Sequence, residues 1–364
     1  MPVSVLSLED PEGGNPMDAQ KVTIFDVAQH AGVSISSVSA ALNETPGVSS
    51  ATRERIRKIA DELGFRPSLR GRSLSGRRAF ALGFVIQRQP DVLEIDPFFG
   101  AFIGGVEEVI DSRGYALVLH VGSDLEESLK RYRRLAGESR VDGVFLTDLT
   151  RDDPRVDLVH ELGLPAVGIN ADPGFPLPAV RQDHAAAIGE LVSLLVAQGH
   201  TCIGHLAGRP ELIHSVQRRQ AWEEAIRAHD LEPGPVLDGR FSYAGGAEAA
   251  QEWARLPSRP TAMFCANDLS ALGFTSAVQQ AGFDVPRDVA VAGYDGIELG
   301  RYANPPLATV VTSPRQLALH ASELLLELVD ARSGRDVGPR TVADVDVAPA
   351  RLEPRGPFST LSRT

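Results

Sequence analysis

The chain has 364 residues, 43% hydrophobic and 23% charged, an ordinary globular balance that excludes collagen-like, mucin-like and largely disordered classes. At roughly 100–200 residues per domain it has length for two or three units, and no stretch approaches about 18 uninterrupted apolar residues, so no membrane span or membrane partner is expected. The net charge of −12 is uneven: residues 20–78 hold ten Lys/Arg against five Asp/Glu, while the sequence on either side is acidic, the asymmetry expected when a small basic head meets a polyanion.

Residues 1–20 carry Glu9, Asp10, Glu12 and Asp18 and no basic n-region, so they read as a disordered acidic extension rather than a secretory signal. Cys202 and Cys265 each sit in an apolar run, which fits two core thiols in a reducing cytoplasm. Thr23-Ile24-Phe25-Asp26 has the form of a capping box. The helix it opens keeps Ile24, Val27 and Ala28 on one face and stops at Gly32, a residue suited to a left-handed cap. Ser34 then caps a second helix through Leu42, with Ile35, Val38 and Leu42 at helical spacing. A loop over 43–47 follows, and Ser49 opens a third helix that aligns Ile56, Ile59, Ala60 and Leu63 before Gly64. Two short helices about the tight Ala31-Gly32-Val33 turn make a helix-turn-helix, whose second helix is shaped to enter a major groove about 12 Å wide.

The run Val22-Thr23-Ile24-Phe25-Asp26-Val27-Ala28, with Ala31-Gly32-Val33-Ser34, Val38-Ser39, Leu42-Asn43, Val48-Ser49, Thr52-Arg53 and Leu63-Gly64-Phe65-Arg66-Pro67, resembles the head of the lactose-repressor family of bacterial transcription regulators. The resemblance implies a DNA-binding head over 21–66, with Ile35, Ser36 and Ala40 facing base edges. It implies that Thr23, Ser34, Ser37, Ser39, Asn43, Ser49 and Thr52 lie near phosphates, which hydroxyls and helix N-termini suit. Small and apolar groups at 35, 36 and 40 favour thymine-methyl contact over bidentate guanine readout, so the operator is not transferable from relatives with long polar side chains there. Residues 67–78 resemble the family's hinge helix, in which Leu74 would wedge into a minor-groove step and Arg72 would sit by the backbone. Gly71 stands where the family usually has alanine, at a cost to a short helix of roughly 0.5–1 kcal/mol. A plain basic linker is the bland alternative.

Beyond the connector, β-rich runs at 79–86, 116–121, 143–146, 166–169, 202–206, 261–265, 289–292 and 309–311 alternate with helical stretches at 102–113, 125–136, 184–198, 215–229, 269–281 and 314–331. Such alternation points to parallel, doubly wound sheets with ligands at the carboxyl ends of the strands. Asp96-Pro97-Phe98-Phe99, Gly199-His200, Leu206-Ala207-Gly208, Asn267-Asp268 and Val291-Ala292-Gly293-Tyr294-Asp295 resemble the family's core. The resemblance implies a periplasmic-binding-protein-like pair of lobes over 79–348, three crossovers between them, and a flexible tail over 349–364.

Carried over by position, the effector cleft would be lined by Phe98, Phe99, Asn170, His214, Arg218, Phe241, Asn267 and Asp295. Phe241 suits the apolar face of a sugar or base, and Arg218, Asn267 and Asp295 offer fork donors, an amide and a carboxylate for ring hydroxyls. Other roles stay open: Phe98 and Phe99 fit core or cleft, Asn267 a helix cap, Asp295 a turn beside Gly296. No G-x-x-x-x-G-K-[ST], H-E-x-x-H, G-x-S-x-G or zinc-spaced Cys/His cluster occurs, and Gly100, Gly104 and Gly105 form no dinucleotide fingerprint, so no cofactor, metal or enzymatic activity is expected. The expected protein is a homodimeric repressor of double-stranded operator DNA controlled by a small, sugar-like effector. A two-lobed transport receptor is the alternative, and the basic head argues against it. Leu74→Ala should weaken specific operator binding far more than non-specific binding, measured by fluorescence anisotropy on both duplexes; equal losses would refute the wedge.

Overall fold

The structure, a computed structural model, describes residues 22–42, 47–65, 78–88, 96–122, 124–332 and 343–356. Asn43, Arg72 and Leu74, with the acidic extension, nearly all of the hinge and the end of the tail, lie outside these residues. The chain divides into two compact units between Arg78 and Ala79.

The first unit holds α1 (Ile24–Ala31), α2 (Ile35–Leu42) and α3 (Ser50–Glu62). The Thr23 N–H and hydroxyl both donate to Asp26 Oδ2 at 2.7 Å, closing the start of α1. Gly32 ends it at φ 61, a left-handed conformation that lets the chain turn sharply into α2. Ser34 Oγ accepts the Ser37 N–H, and Ser49 Oγ the Thr52 N–H, so both later helices start on serine caps. Val27, Ala28, Ala31, Val38, Ala41, Ile56 and Ala60 form the small shared core.

The second unit contains two six-stranded sheets. The first orders its strands Val345–Val347, Ala179–Gln182, Ala166–Ile169, Gly143–Leu146, Ala81–Gln87, Ala116–Gly122 and is parallel throughout; the second orders Arg351–Glu353, Ala308–Val311, Ala290–Asp295, Ala262–Cys265, Ile203–Ala207, Val236–Asp238 and is parallel except at its Arg351–Glu353 edge. Lobe 1 contains β1 (Ala81–Gln87), α4 (Pro97–Ile110), β2 (Ala116–Gly122), α5 (Leu125–Gly137), β3 (Gly143–Leu146), α6 (Pro154–Glu161), β4 (Ala166–Ile169) and β5 (Ala179–Gln182). The chain then crosses to lobe 2 and forms α7 (Ala185–Ala197), β6 (Ile203–Ala207), α8 (Ile213–Ala228), β7 (Val236–Asp238), α9 (Tyr243–Arg255), β8 (Ala262–Cys265), α10 (Asp268–Gln280), β9 (Ala290–Asp295), α11 (Leu299–Tyr302) and β10 (Ala308–Val311). It returns as α12 (Pro314–Arg332) and β11 (Val345–Val347) to lobe 1, and crosses again to β12 (Arg351–Glu353) in lobe 2. Apolar clusters cover both faces of each sheet, which explains why β1 and β3 read as continuous apolar runs. Among the described residues, no helix is long and apolar enough to cross a membrane.

Several expectations need correction. The tail expected to be flexible from 349 instead supplies β12, paired antiparallel to β10, and Arg355 beyond it is buried. Helix α4 starts at Pro97 on an Asp96 cap rather than near 102, since proline fits a first helical turn. Strand β9 continues to Asp295 rather than ending at 292. The short edge strands β7, β11 and β12, strand β5, and helices α6, α9 and α11 lie outside the strand and helix runs expected from the sequence. Two of these helices begin with turn-like residues, Asp153-Pro154 before α6 and Gly245-Gly246 within α9.

Those glycines are needed for packing. A Cβ on Gly246 would stand 2.0 Å from the Ser270 carbonyl oxygen, and one on Gly273 2.0 Å from the Tyr243 carbonyl oxygen. Helices α9 and α10 therefore meet backbone to backbone, which holds the start of α10 beside β9. Gly273→Ala should destabilise the chain at or above the upper end of the ~1–3 kcal/mol typical of overpacking. Urea unfolding measures this, and a loss below about 0.5 kcal/mol would show that the helices can part freely.

Candidate functional site

In the head, Ser34, Ile35 and Ser36 are exposed at the start of α2, while Ser37, Ser39 and Ala40 are half-buried on the same helix. Ile35 keeps 40% of its surface exposed although it is a large apolar side chain. Ser34 Oγ lies 2.8 Å from both Ser36 Oγ and Ser37 Oγ, so three hydroxyls cluster at the helix N-terminus, where partial positive charge favours an anion. Thr23 and Ser49 are exposed, and Thr52 is half-buried with Oγ1 2.8 Å from Ser49 Oγ.

In the second unit, the eight side chains expected at the effector site line one cleft between the lobes. Lobe 1 supplies Phe98 and Phe99 from the first turn of α4 and Asn170 after β4. Lobe 2 supplies His214 and Arg218 from α8, Phe241 after β7, Asn267 after β8 and Asp295 from the end of β9. Arg88, Asp96, Thr147, Asp148 and Ile169 also line it without having been among the expected site residues; Asp96 is the α4 cap within the Asp96-Pro97-Phe98-Phe99 motif, and the others stand at or beyond strand ends, outside the family motifs. A position-by-position search of residues just past each strand's carboxyl end would have found most of them.

Phe241 is the centre of the arrangement. Its ring lies against Gly208, where a Cβ would stand 1.9 Å from the ring's Cζ, so that site must be glycine for the ring to lie there. His214 packs on it at 5.2 Å between centroids, and the guanidiniums of Arg218 and Arg88 lie 5.5 and 5.8 Å from its centre. Arg218 also lies 3.7 Å from the centre of the Tyr294 ring and donates from Nη1 to the Ala266 carbonyl at 2.6 Å, which aims it across the cleft. Trp222, four residues on, is fully buried inside lobe 2.

Asn267 combines two of its possible roles: Oδ1 accepts the Ser270 N–H at 3.0 Å as the α10 cap, and Nδ2 donates to the Phe241 carbonyl at 3.1 Å. Phe99 is a core residue of lobe 1 whose edge reaches the cleft, while half-buried Phe98 stacks on Phe102. Asp148, Asn170, Phe241 and Asp295 all have positive φ, between 50° and 116°. Strain of this kind persists only where surroundings impose it, and it gathers at ligand sites.

Burial sets the cleft's titration. It pushes the Asp295 carboxyl well above the usual carboxylate range against the pull of Arg218, and it raises Asp96. It holds His214 well below its ordinary value, with the cations Arg218 and Arg88 adding to the effect; outside the cleft lining, it also lowers His184 to about 4. Nearby His205, stacked between Trp222 and Phe264, is likewise lowered to about 4 by burial. Its Nδ1 must carry the proton, because its partner at 2.9 Å is the Phe264 carbonyl. A histidine neutral in the fold but protonated when unfolded stabilises fully above about pH 6.5 and loses that contribution as pH falls toward 4. Unfolding free energy should therefore decline over that interval, and His205→Phe should make the decline shallower in denaturant titrations at several pH values; an unchanged slope would show that His205 does not contribute.

Residues 23–68 match the bacterial regulatory proteins of the lacI family, and residues 192–356 match the periplasmic binding protein-like domain. The HTH-type transcriptional repressor PurR of Photobacterium profundum is 34% identical over 311 residues, 84% of this chain and 92% of that protein. PurR of Vibrio vulnificus is 35% identical over 312 residues, with the same coverages. Among solved structures, the lac repressor dimer bound to operator and the anti-inducer ONPF has a TM-score of 0.76 at 26% identity, covering 93% of this chain and 99% of that one. The complex of the transcriptional regulator CelR with cellobiose has a TM-score of 0.67 at 29% identity, covering 92% and 99%.

Proposed function

This chain belongs to the lacI family of bacterial regulatory proteins, and we propose that it is an effector-controlled transcription repressor that binds a pseudo-palindromic operator as a homodimer. It acts in the cytoplasm, as a binding protein rather than an enzyme. Ile35, Ser36 and Ala40 read base edges; Thr23, Ser34, Ser37, Ser39, Asn43, Ser49 and Thr52 hold phosphates; Arg72 and Leu74 serve the hinge. Exposed Leu299 and Tyr302 on α11 give a second copy apolar surface to cover.

One observation carries the effector reading: Phe98, Phe99, Asn170, His214, Arg218, Phe241, Asn267 and Asp295, spread over some two hundred residues of sequence, converge on one cleft. The cleft sets an aromatic face among two guanidiniums, amides and carboxylates. A strong anion would meet the Asp148 carboxylate, and an apolar ligand would leave the polar groups unpaired. A sugar or sugar derivative fits both requirements, and the related CelR structure holds cellobiose. Ligand contacts from both lobes favour their closed arrangement, and the change reaches DNA through the connector between the units. Linkage makes the effect reciprocal, at a coupling of typically about 1–3 kcal/mol.

Operator binding by anisotropy across a sugar panel tests this reading; no preference for any inverted-repeat duplex over random DNA would overturn it. Arg218→Ala should abolish the effector-induced change while leaving effector-free operator affinity nearly unchanged. An equal fall in effector-free affinity would make Arg218 structural instead.

A further inference from the structure

On the lobe 1 wall of the cleft, Arg88 follows β1, and Thr147 and Asp148 follow β3. Arg88 Nη2 donates to Asp148 Oδ1 at 2.7 Å, with the two side chains only 10% and 11% exposed. Burying such a pair strips water from both ions, and their mutual contact offsets the cost only if their other polar atoms are also bonded. Here they are not: Arg88 Nε, Asp148 Oδ2 and Thr147 Oγ1 are buried with no hydrogen-bond partner among the described residues. All three side chains line the cleft.

The group is held in place. Asp148 has a left-handed backbone at φ 50, and its carbonyl accepts from Arg155 Nη2 at 3.0 Å. Arg155 is itself locked to buried Asp153 at 2.6 and 2.9 Å, so the loop after β3 is anchored from below. The Asp148 backbone is therefore fixed, and turning its side chain outward to solvent would break the buried pair with Arg88.

The unbonded atoms define a chemistry. Arg88 Nε only donates, an ionised Asp148 Oδ2 only accepts, and the Thr147 hydroxyl does both. A carboxylate or a fully ionised phosphate could accept from Arg88 but has no proton for Asp148, and an ammonium could donate to Asp148 but would oppose Arg88. Adjacent hydroxyls on one ring satisfy all three, because each oxygen accepts along one direction while donating along another. We propose that Arg88, Thr147 and Asp148 form a reader of two neighbouring hydroxyls on the effector and set its specificity, beside the stacking face of Phe241. This rests on the reading of the cleft as a sugar-type effector site.

The test is calorimetric titration of the full chain with D-glucose, D-galactose, D-xylose and cellobiose, then with the monodeoxy forms of whichever sugars bind. In the unaltered protein, removing one hydroxyl of the pair should weaken binding roughly 10- to 100-fold, the effect of a lost hydrogen bond to a charged group. In Asp148→Asn, which keeps a side chain tolerant of left-handed backbone, and in Thr147→Val, which keeps the shape, that discrimination should shrink to roughly threefold or less. Phe241→Ala should weaken sugar and deoxy-sugar alike. Undiminished discrimination in both wall variants, or no discrimination in the unaltered protein, would overturn the hydroxyl reader while leaving the effector site standing. Tighter binding of D-glucuronate or D-glucose 6-phosphate than of D-glucose would overturn it in favour of an anion site. No measurable binding of any sugar would overturn both readings.

Discussion

One buried side-chain amide ties together the three passages of the chain between the lobes. Gln182 ends β5 at the first crossing; its Oε1 accepts the Ser313 N–H at the second, and its Nε2 donates to the Ala348 carbonyl at the third. Beside it the Ala350 N–H donates to the Asp183 carbonyl at 2.7 Å. Without this amide, the half-buried Ser313 N–H and the carbonyl of exposed Ala348 would turn to water, and the crossings would lose the side chain that links them. The crossings are thereby held as a bundle that can bend but not spread, which is what a hinge between two lobes requires. Asn170 joins the bundle to the cleft, since its Oδ1 accepts the Gln182 N–H while its side chain lines the site. A ligand touching Asn170 touches the pivot.

The lobes also meet at the cleft's edge. The Ile213 N–H, at the start of α8, donates to the Leu149 carbonyl of lobe 1 at 2.9 Å, and the Ile213 side chain is buried in a lobe 1 cluster. Gln217, one turn on, donates to Asp172 at 2.8 Å. The segment bringing His214 and Arg218 into the cleft is therefore docked on the opposite lobe, so ligand position and lobe closure share the same residues. This physical economy suits a sensor: the groups that would recognise the effector are attached to the parts that would move.

The polar character of the cleft has a matching logic. Carboxylates, guanidiniums and a histidine are gathered at strand ends and helix starts, burial raises Asp96 and Asp295 and lowers His214, and four lining residues hold left-handed backbone. Such an assembly is poor for stability and useful for binding, because a ligand supplies the partners that the fold withholds.

Much of this was legible in the amino-acid sequence. The capping box at Thr23, the turn at Gly32 and the serine starts of α2 and α3 are local devices, set by residues within one helical turn of each other, and they are found where the pattern places them. The buried strands β3 and β4 match to the residue, because a parallel strand covered on both faces must be apolar along its whole length. Missed elements are those whose residues depend on distant partners: β11 and β12 are three residues long and exist only because β5 and β10 offer open edges, and α9 reads as a turn until α10 requires its glycines. The cleft divides the same way. Sequence pattern located the residues that family motifs mark, whereas the Arg88–Asp148 pair, sixty residues apart, came together only when β1 and β3 paired side by side. Local hydrogen bonds and hydrophobic period are written in neighbouring residues; the meeting of two charges, or of three crossings at one amide, is decided by how the sheets and lobes close in space.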